Sequence, residues 1–149
     1  YVARFESITN TTTDGSNLGR FDVWTSSINM FKDHPVTGVG IGQWRTIYEA
    51  SYRLPTENQH LYHAHNNFIQ LLGEVGLLGL LGVLIFYGSI VVDNFVVWFK
   101  KRDPYSLCAM IAVICYVFVF GQVEYTLDNS SGIRIMYFML ATMLQLRDN

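Results

Sequence analysis

Two stretches of this chain are each close to twenty residues long and carry no charge: "GLLGLLGVLIFYGSIVV" (76–92) and "YSLCAMIAVICYVFVFGQV" (105–123). That length matches a helix crossing a hydrocarbon core of about 30 Å, so both read as membrane spans. The first continues through Asp93 and Asn94 into "FVVWF", and only the turn "KKRDP" separates it from the second. A shorter and weaker apolar run, "IMYFMLATMLQL" (135–146), follows. The expected fold is all-α: a polytopic membrane protein with helices over 76–99, 105–123 and 133–146. A turn at 100–104 and a loop at 124–132 join them, and residues 1–75 form a mostly helical, polar region in front. A soluble protein with very apolar core helices is the competing reading. Two such runs joined only by a basic turn would dominate a domain of 149 residues, which argues against it.

Lys100, Lys101 and Arg102 sit in the short turn, and short loops rich in Lys and Arg stay in the cytoplasm. Residues 1–75 and the loop 124–132 then fall on the periplasmic side of a bacterial inner membrane, with the C-terminus cytoplasmic. With a net charge of −2 and no basic stripe, nothing points to a nucleic-acid partner. Cys108 and Cys115 are seven apart, two turns along one helix face, and at about 10 Å they are too far apart to bridge. The chain starts at "YVARFES" with no initiator Met or signal peptide. It is expected to be the C-terminal part of a longer protein whose N-terminal helices are missing here.

In the polar region, Leu18, Phe21, Trp24, Ile28 and Phe31 recur at helical spacing, predicting an amphipathic helix capped by Ser16 or Asn17 and ended at His34-Pro35. "TGVGIGQW" (37–44) has alternating glycines without the dinucleotide spacing. It reads as a tight turn or, less simply, as free N–H groups lying against a phosphate. A short helix is expected over 45–53 and a loop over 54–62. "NTT" (10–12) and "NSS" (129–131) match the glycosylation acceptor pattern, and neither is read as functional.

"HAHNNFIQLLGEVGLLG" (63–79) puts a polar cluster at the threshold of the first span. His65 is the candidate catalytic residue, a general base at a water-facing helix start that Asn66 or Asn67 can cap. A helix N-terminus disfavours the imidazolium form. The plain alternative is a histidine that only hydrogen-bonds a loop. His34, His60, His63 and His65 lack a closing Cys or an HExxH pattern, so no metal site is expected. Arg20 and Arg45 are candidate anion binders, because the planar guanidinium fork matches phosphate oxygens. Glu74 is placed to pair with one of them or to orient His65. Gly73, Gly76, Gly79 and Gly82 read as a smooth ridge for close helix packing in the bilayer. Asp93 and Asn94 read as interface markers or as polar contacts inside the bundle.

His65-Asn66, nine residues, Gly76, two residues and Gly79 resemble the signature of the bacterial O-antigen ligase and polymerase superfamily. "LGRFDVW" (18–24) and "FKDHPVTGVGIGQW" (31–44) are similar to that family's lead-in to its histidine motif. The resemblance implies a membrane glycosyltransferase that takes a glycan from a polyprenyl-diphosphate carrier to an acceptor hydroxyl on the periplasmic face. It implies no cofactor and no metal. His65 would serve as base or positioning group, Arg20 would hold the departing diphosphate with Arg45 a weaker counterpart, and Asn66, Glu74, Gly76 and Gly79 would support them. The acceptor, whether glycolipid, glycan or protein, decides between ligase, polymerase and protein glycosyltransferase, and the motif does not. Other classes compete: a non-catalytic membrane component that exports or handles lipid-linked glycan, and a metal sensor built on the histidines.

Overall fold

The computed structural model describes residues 15–57, 60–128 and 130–148. The glycosylation-like triplets lie wholly or partly outside these residues. So do the side chains of Ser16 and Asn17, in a helix that already begins at Gly15. The described residues are helical and without strands. Helix α1 is Gly15–Asp33, and α2 is Trp44–Ile47, continued by a π turn over Tyr48–Tyr52. Helix α3 is Asn67–Lys101. Helix α4 is Pro104–Val113, prolonged by a π segment Ile114–Val119 and a 3-10 turn Phe120–Gln122, and α5 is Ser130–Asp148. Two of them, α3 and α4 with its extension, are long and apolar enough to cross a membrane. The chain forms two compact units, residues 1–64 with 69–78, and residues 65–68 with 79–149.

In the first unit α1 does not bury the predicted stripe. Leu18, Phe21 and Ile28 are exposed, and the buried face is Val23, Ser26, Ser27 and Met30. Small hydroxyl residues make room for the large side chains of α2. Trp44 and Tyr48 stack at 4.8 Å between ring centroids, and Trp44 Nε1 donates to Ser27 Oγ at 3.1 Å. The serine hydroxyls spend their own protons on backbone carbonyls, Ser27 on Val23 O and Ser26 on Tyr52 O, so the polar face is buried without loss. Beneath them Glu57 is buried, accepting from Tyr48 Oη at 3.1 Å and from Arg53 Nε at 2.8 Å. Burial, with the Glu57 carboxylate beside it, pushes the Tyr48 phenol well above its ordinary value and keeps it a neutral donor.

Helix α3 is broken at Gly76, where φ is 64° and ψ is −164°. The break frees two carbonyls and two N–H groups, and the glycine-rich loop satisfies all four. Val39 N–H donates to Gly73 O and Gly40 N–H to Glu74 O, while Leu77 and Leu78 N–H donate to Pro35 O and Val36 O, at 2.8–3.1 Å. This settles what "TGVGIG" is for. Its N–H groups at Gly38, Val39, Gly40 and Gly42 are all used inside the protein, so the tight turn holds and the phosphate cradle does not. Of the glycine row, Gly73 packs closely against Ser27 and Trp44, Gly76 is the break itself, and Gly82 has nothing within 4 Å of an added Cβ among the described residues. Beyond the break, residues 77–101 have the length of one tilted span.

In the second unit Tyr87 of α3, Ala109, Val113 and Val117 of the α4 segment, and Met136 and Leu140 of α5 form the core. Asp93 and Asn94 are tied to α5, since Arg147 Nη1 lies 2.6 Å from Asp93 and 3.5 Å from Asn94. Asn94 is buried and meets α5 inside the bundle, while Asp93 stays largely exposed in its pair with Arg147. Cys108 and Cys115 are free and exposed, with no bridge.

Candidate functional site

The start of α3 is built by three consecutive polar residues with different tasks. Asn66 is the cap: its Oδ1 accepts Phe68 N–H at 2.9 Å, and its Nδ2 donates to Gln122 O at 3.0 Å. Asn67 is buried and ties the helix start to the end of the α4 segment. Its Nδ2 donates to Val117 O at 3.1 Å and to Thr126 Oγ1 at 2.8 Å, and its Oδ1 accepts Thr126 N–H at 2.7 Å. The π segment at 114–119 has irregular backbone bonding, and Asn67 supplies a donor to one of its carbonyls. Gly121 lies so close that a Cβ there would collide with the Asn67 amide.

His65 precedes these two in a left-handed conformation with φ 47°, uncommon for a residue other than glycine. Backbone strain of this kind persists where the surroundings over-determine it and clusters at functional sites. The ring Nδ1 faces both oxygens of Glu124, each at 3.1 Å. An ionised carboxylate only accepts, so Nδ1 carries the proton in this contact. His63 adjoins the pair: ligand atoms of His63, His65 and Glu124 lie within 4.8 Å of one another, a group that could hold a metal ion although the sequence led to no such expectation. Both side chains are partly exposed, at 21% and 34%, so solutes reach the pair. The arrangement, a histidine oriented through Nδ1 by a carboxylate, is the general one for a base that takes a proton at Nε2.

Glu124 is the residue that sequence reading missed. The available signal was topological. If both apolar runs cross the membrane, the chain at 124 is back on the side that it left at 65, and Glu124 is the first carboxylate after the second apolar run.

Glu74, expected near an arginine or His65, is buried in the first unit. Its Oε1 accepts Gly42 N–H at 2.6 Å and its Oε2 accepts the Gln70 amide at 3.0 Å. It fastens the glycine loop to α3. Gln70 in turn accepts Ala64 N–H at 2.8 Å, and Trp24 Nε1 donates to Ala64 O at 2.6 Å, so the residue before His65 is pinned from α1 and α3. Arg45 is exposed, paired with Glu49 at 3.1 Å and stacked over the Tyr62 ring at 4.1 Å. Arg20 on α1 is half-buried and has no ion pair or hydrogen bond to its side chain among the described residues. A third arginine, Arg53, holds buried Glu57 and touches His60 at 3.2 Å.

Compared with known proteins, residues 1–84 match the O-antigen ligase family. The chain belongs to that family. Family and apolar helices together make it a membrane protein. It is also 27% identical over 136 residues to the exopolysaccharide production protein ExoQ of Rhizobium meliloti (strain 1021). That alignment covers 84% of this chain and 30% of ExoQ, so the chain spans about a third of the relative's length. No solved structure matches. The family match includes His65, Asn66, Gly76, Arg20 and the glycine loop, while Glu124 lies beyond it.

Proposed function

We propose that this chain carries the acceptor-activating part of a membrane glycosyltransferase of polysaccharide biosynthesis, working on a glycan held by a polyprenyl-diphosphate carrier. The observation that carries the reading is the His65–Glu124 pair at the head of a membrane-length helix, in which the carboxylate orients the imidazole through Nδ1. Nε2 takes the proton of the acceptor hydroxyl as its oxygen attacks the anomeric carbon. The bond from that carbon to the diphosphate breaks, and the diphosphate leaves with the electron pair. Arg20, with no anionic partner of its own among the described residues, is suited to hold the departing charge. The glycosyl–diphosphate bond supplies the driving force, so positioning and charge neutralisation suffice without a metal or cofactor. The reaction belongs on the periplasmic face of the inner membrane, with α5 as a third span and the C-terminus cytoplasmic.

The test uses the full-length protein in cells lacking the native copy, with lipid-linked and transferred glycan run side by side. His65→Ala should lower transfer by about 10²–10⁴-fold at unchanged protein level. Glu124→Gln should cost at least about tenfold, the loss of an orienting partner. Normal transfer in His65→Ala would sink the catalytic reading in favour of a component that only handles lipid-linked glycan. In the deletion strain, long glycans stranded on the carrier mark a ligase, and acceptor bearing a single repeat marks a polymerase.

A further inference from the structure

The turn between α3 and α4 is remote in sequence from His65 and is built in an unusual way. Arg102 closes α3, its N–H donating to Trp98 O at 2.7 Å, in a left-handed conformation with φ 56°. Glycine is the ordinary occupant of such a helix-end position because it lacks the Cβ penalty. Here the strained residue is a cation. Its guanidinium carbon lies 5.2 Å from the Trp98 ring centroid and 5.6 Å from that of Phe99, so the planar head rests on an aromatic platform. Lys100 and Lys101 are exposed beside it, as are Phe99 and Tyr105.

The local anions are committed elsewhere. Asp103 caps α4 by accepting Ser106 N–H at 2.6 Å, and Asp93 is paired with Arg147. Lys100, Lys101 and Arg102 have no ion pair among the described residues. The turn joins two membrane-length helices, so three uncompensated cations and a fringe of aromatic rings lie at headgroup depth.

We infer that this turn is a binding site for the phosphodiester of an anionic phospholipid, with Arg102 held against Trp98 and Phe99 to meet the phosphate and Lys100 and Lys101 flanking it. A left-handed Arg costs conformational energy that Gly would not, and topology alone asks only for positive charge, which a Lys or Arg in relaxed backbone provides equally. The aromatic platform fixes the guanidinium plane, a feature suited to bidentate phosphate contact.

The experiment is native mass spectrometry of the full-length protein in detergent, titrated with phosphatidylglycerol and, separately, phosphatidylethanolamine of the same chains. The wild type should retain phosphatidylglycerol preferentially. Lys100→Gln and Lys101→Gln should each weaken retention about fivefold, the worth of one interfacial cation. Arg102→Lys keeps the charge that sets topology but loses the planar head, and should weaken retention about threefold. Arg102→Gly should lose the lipid yet melt no lower than the wild type, because the strain is relieved. Equal retention of the two lipids, or unchanged retention in Arg102→Lys, overturns the inference. A lowered melting temperature in Arg102→Gly does so too, since the guanidinium would then be a structural clamp. Displacement of the lipid by millimolar inorganic phosphate would identify a free-anion site instead.

Discussion

Gly76 occupies a backbone region, φ 64° and ψ −164°, that is open essentially to glycine alone, and a Cβ there would stand 2.6 Å from Val36 and Gly38 backbone atoms. Gly76→Ala should therefore destabilise the protein by about 2–3 kcal/mol or more, seen as a lower midpoint in thermal unfolding. Gly82→Ala is the matched control. Gly82 lies inside α3 with open space around its Cβ position, so alanine should be neutral or stabilising by up to about 1 kcal/mol. Equal losses at both sites would mean that the glycines act as a packing ridge after all. At this scale the sequence was legible where a residue's role is local. His65 and Asn66 announce themselves as a polar cluster at a helix start, and Asn66 caps as its type suggests. Glu124 and Glu74 were not legible, because their partners lie 59 and 32 residues away and no periodicity reports such a contact.

Apolar run length and spacing gave an all-helical reading, as the described residues are. Helix α3, however, begins at Asn67, nine residues before the expected 76, because Gln70 and Glu74 interrupt the apolar run in its first turns. Which face is buried was less legible. In α1 the larger apolar residues are exposed, and Val23, Ser26, Ser27 and Met30 pack, because the partner side chains Trp44 and Tyr48 need small neighbours. The ends of elements carry testable chemistry. Asn67 joins the start of α3 to Val117 and Thr126, and Asn67→Ala would leave Thr126 N–H and Val117 O without their donor or acceptor in a buried place. A loss of about 2–3 kcal/mol is expected, together with reduced transfer, since Glu124 rides on the same segment. Intact activity in that variant would detach Glu124 from its supposed anchor. At the other end, the Ser106 N–H holds the Asp103 carboxyl below its ordinary value. A lowered carboxylate contributes stability above its unfolded value near pH 4 and loses it as pH falls through the folded one. Asp103→Asn keeps a capping oxygen without a titration. The variant's melting temperature relative to wild type should rise between pH 6 and pH 3, and a constant difference would refute the cap's role.

At the scale of the whole molecule, the side of the membrane decides whether the proposed chemistry is possible, because the acceptor hydroxyl must lie on the face where His65 opens. On the proposed topology one crossing, α3 beyond Gly76, separates the basic turn from the polar region, so a single orientation fixes both. Cys108 and Cys115 are the natural thiols, and replacing both with Ser leaves a chain that single cysteines can report on. A cysteine at Ile41, which is 85% exposed in the glycine loop, should react with a membrane-impermeant maleimide in cells whose outer membrane alone is opened. A cysteine at Lys101 should react only after the inner membrane is breached. The reverse pattern would put His65 in the cytoplasm, where a lipid-linked glycan already carried across would be out of its reach. It would also require the Lys-Arg turn to be translocated against its charge. Labelling at both positions in intact inner membranes would mean that α3 does not cross at all. A transferase acting on a membrane-borne donor would then have lost the geometric reason for placing its histidine at the head of an apolar helix.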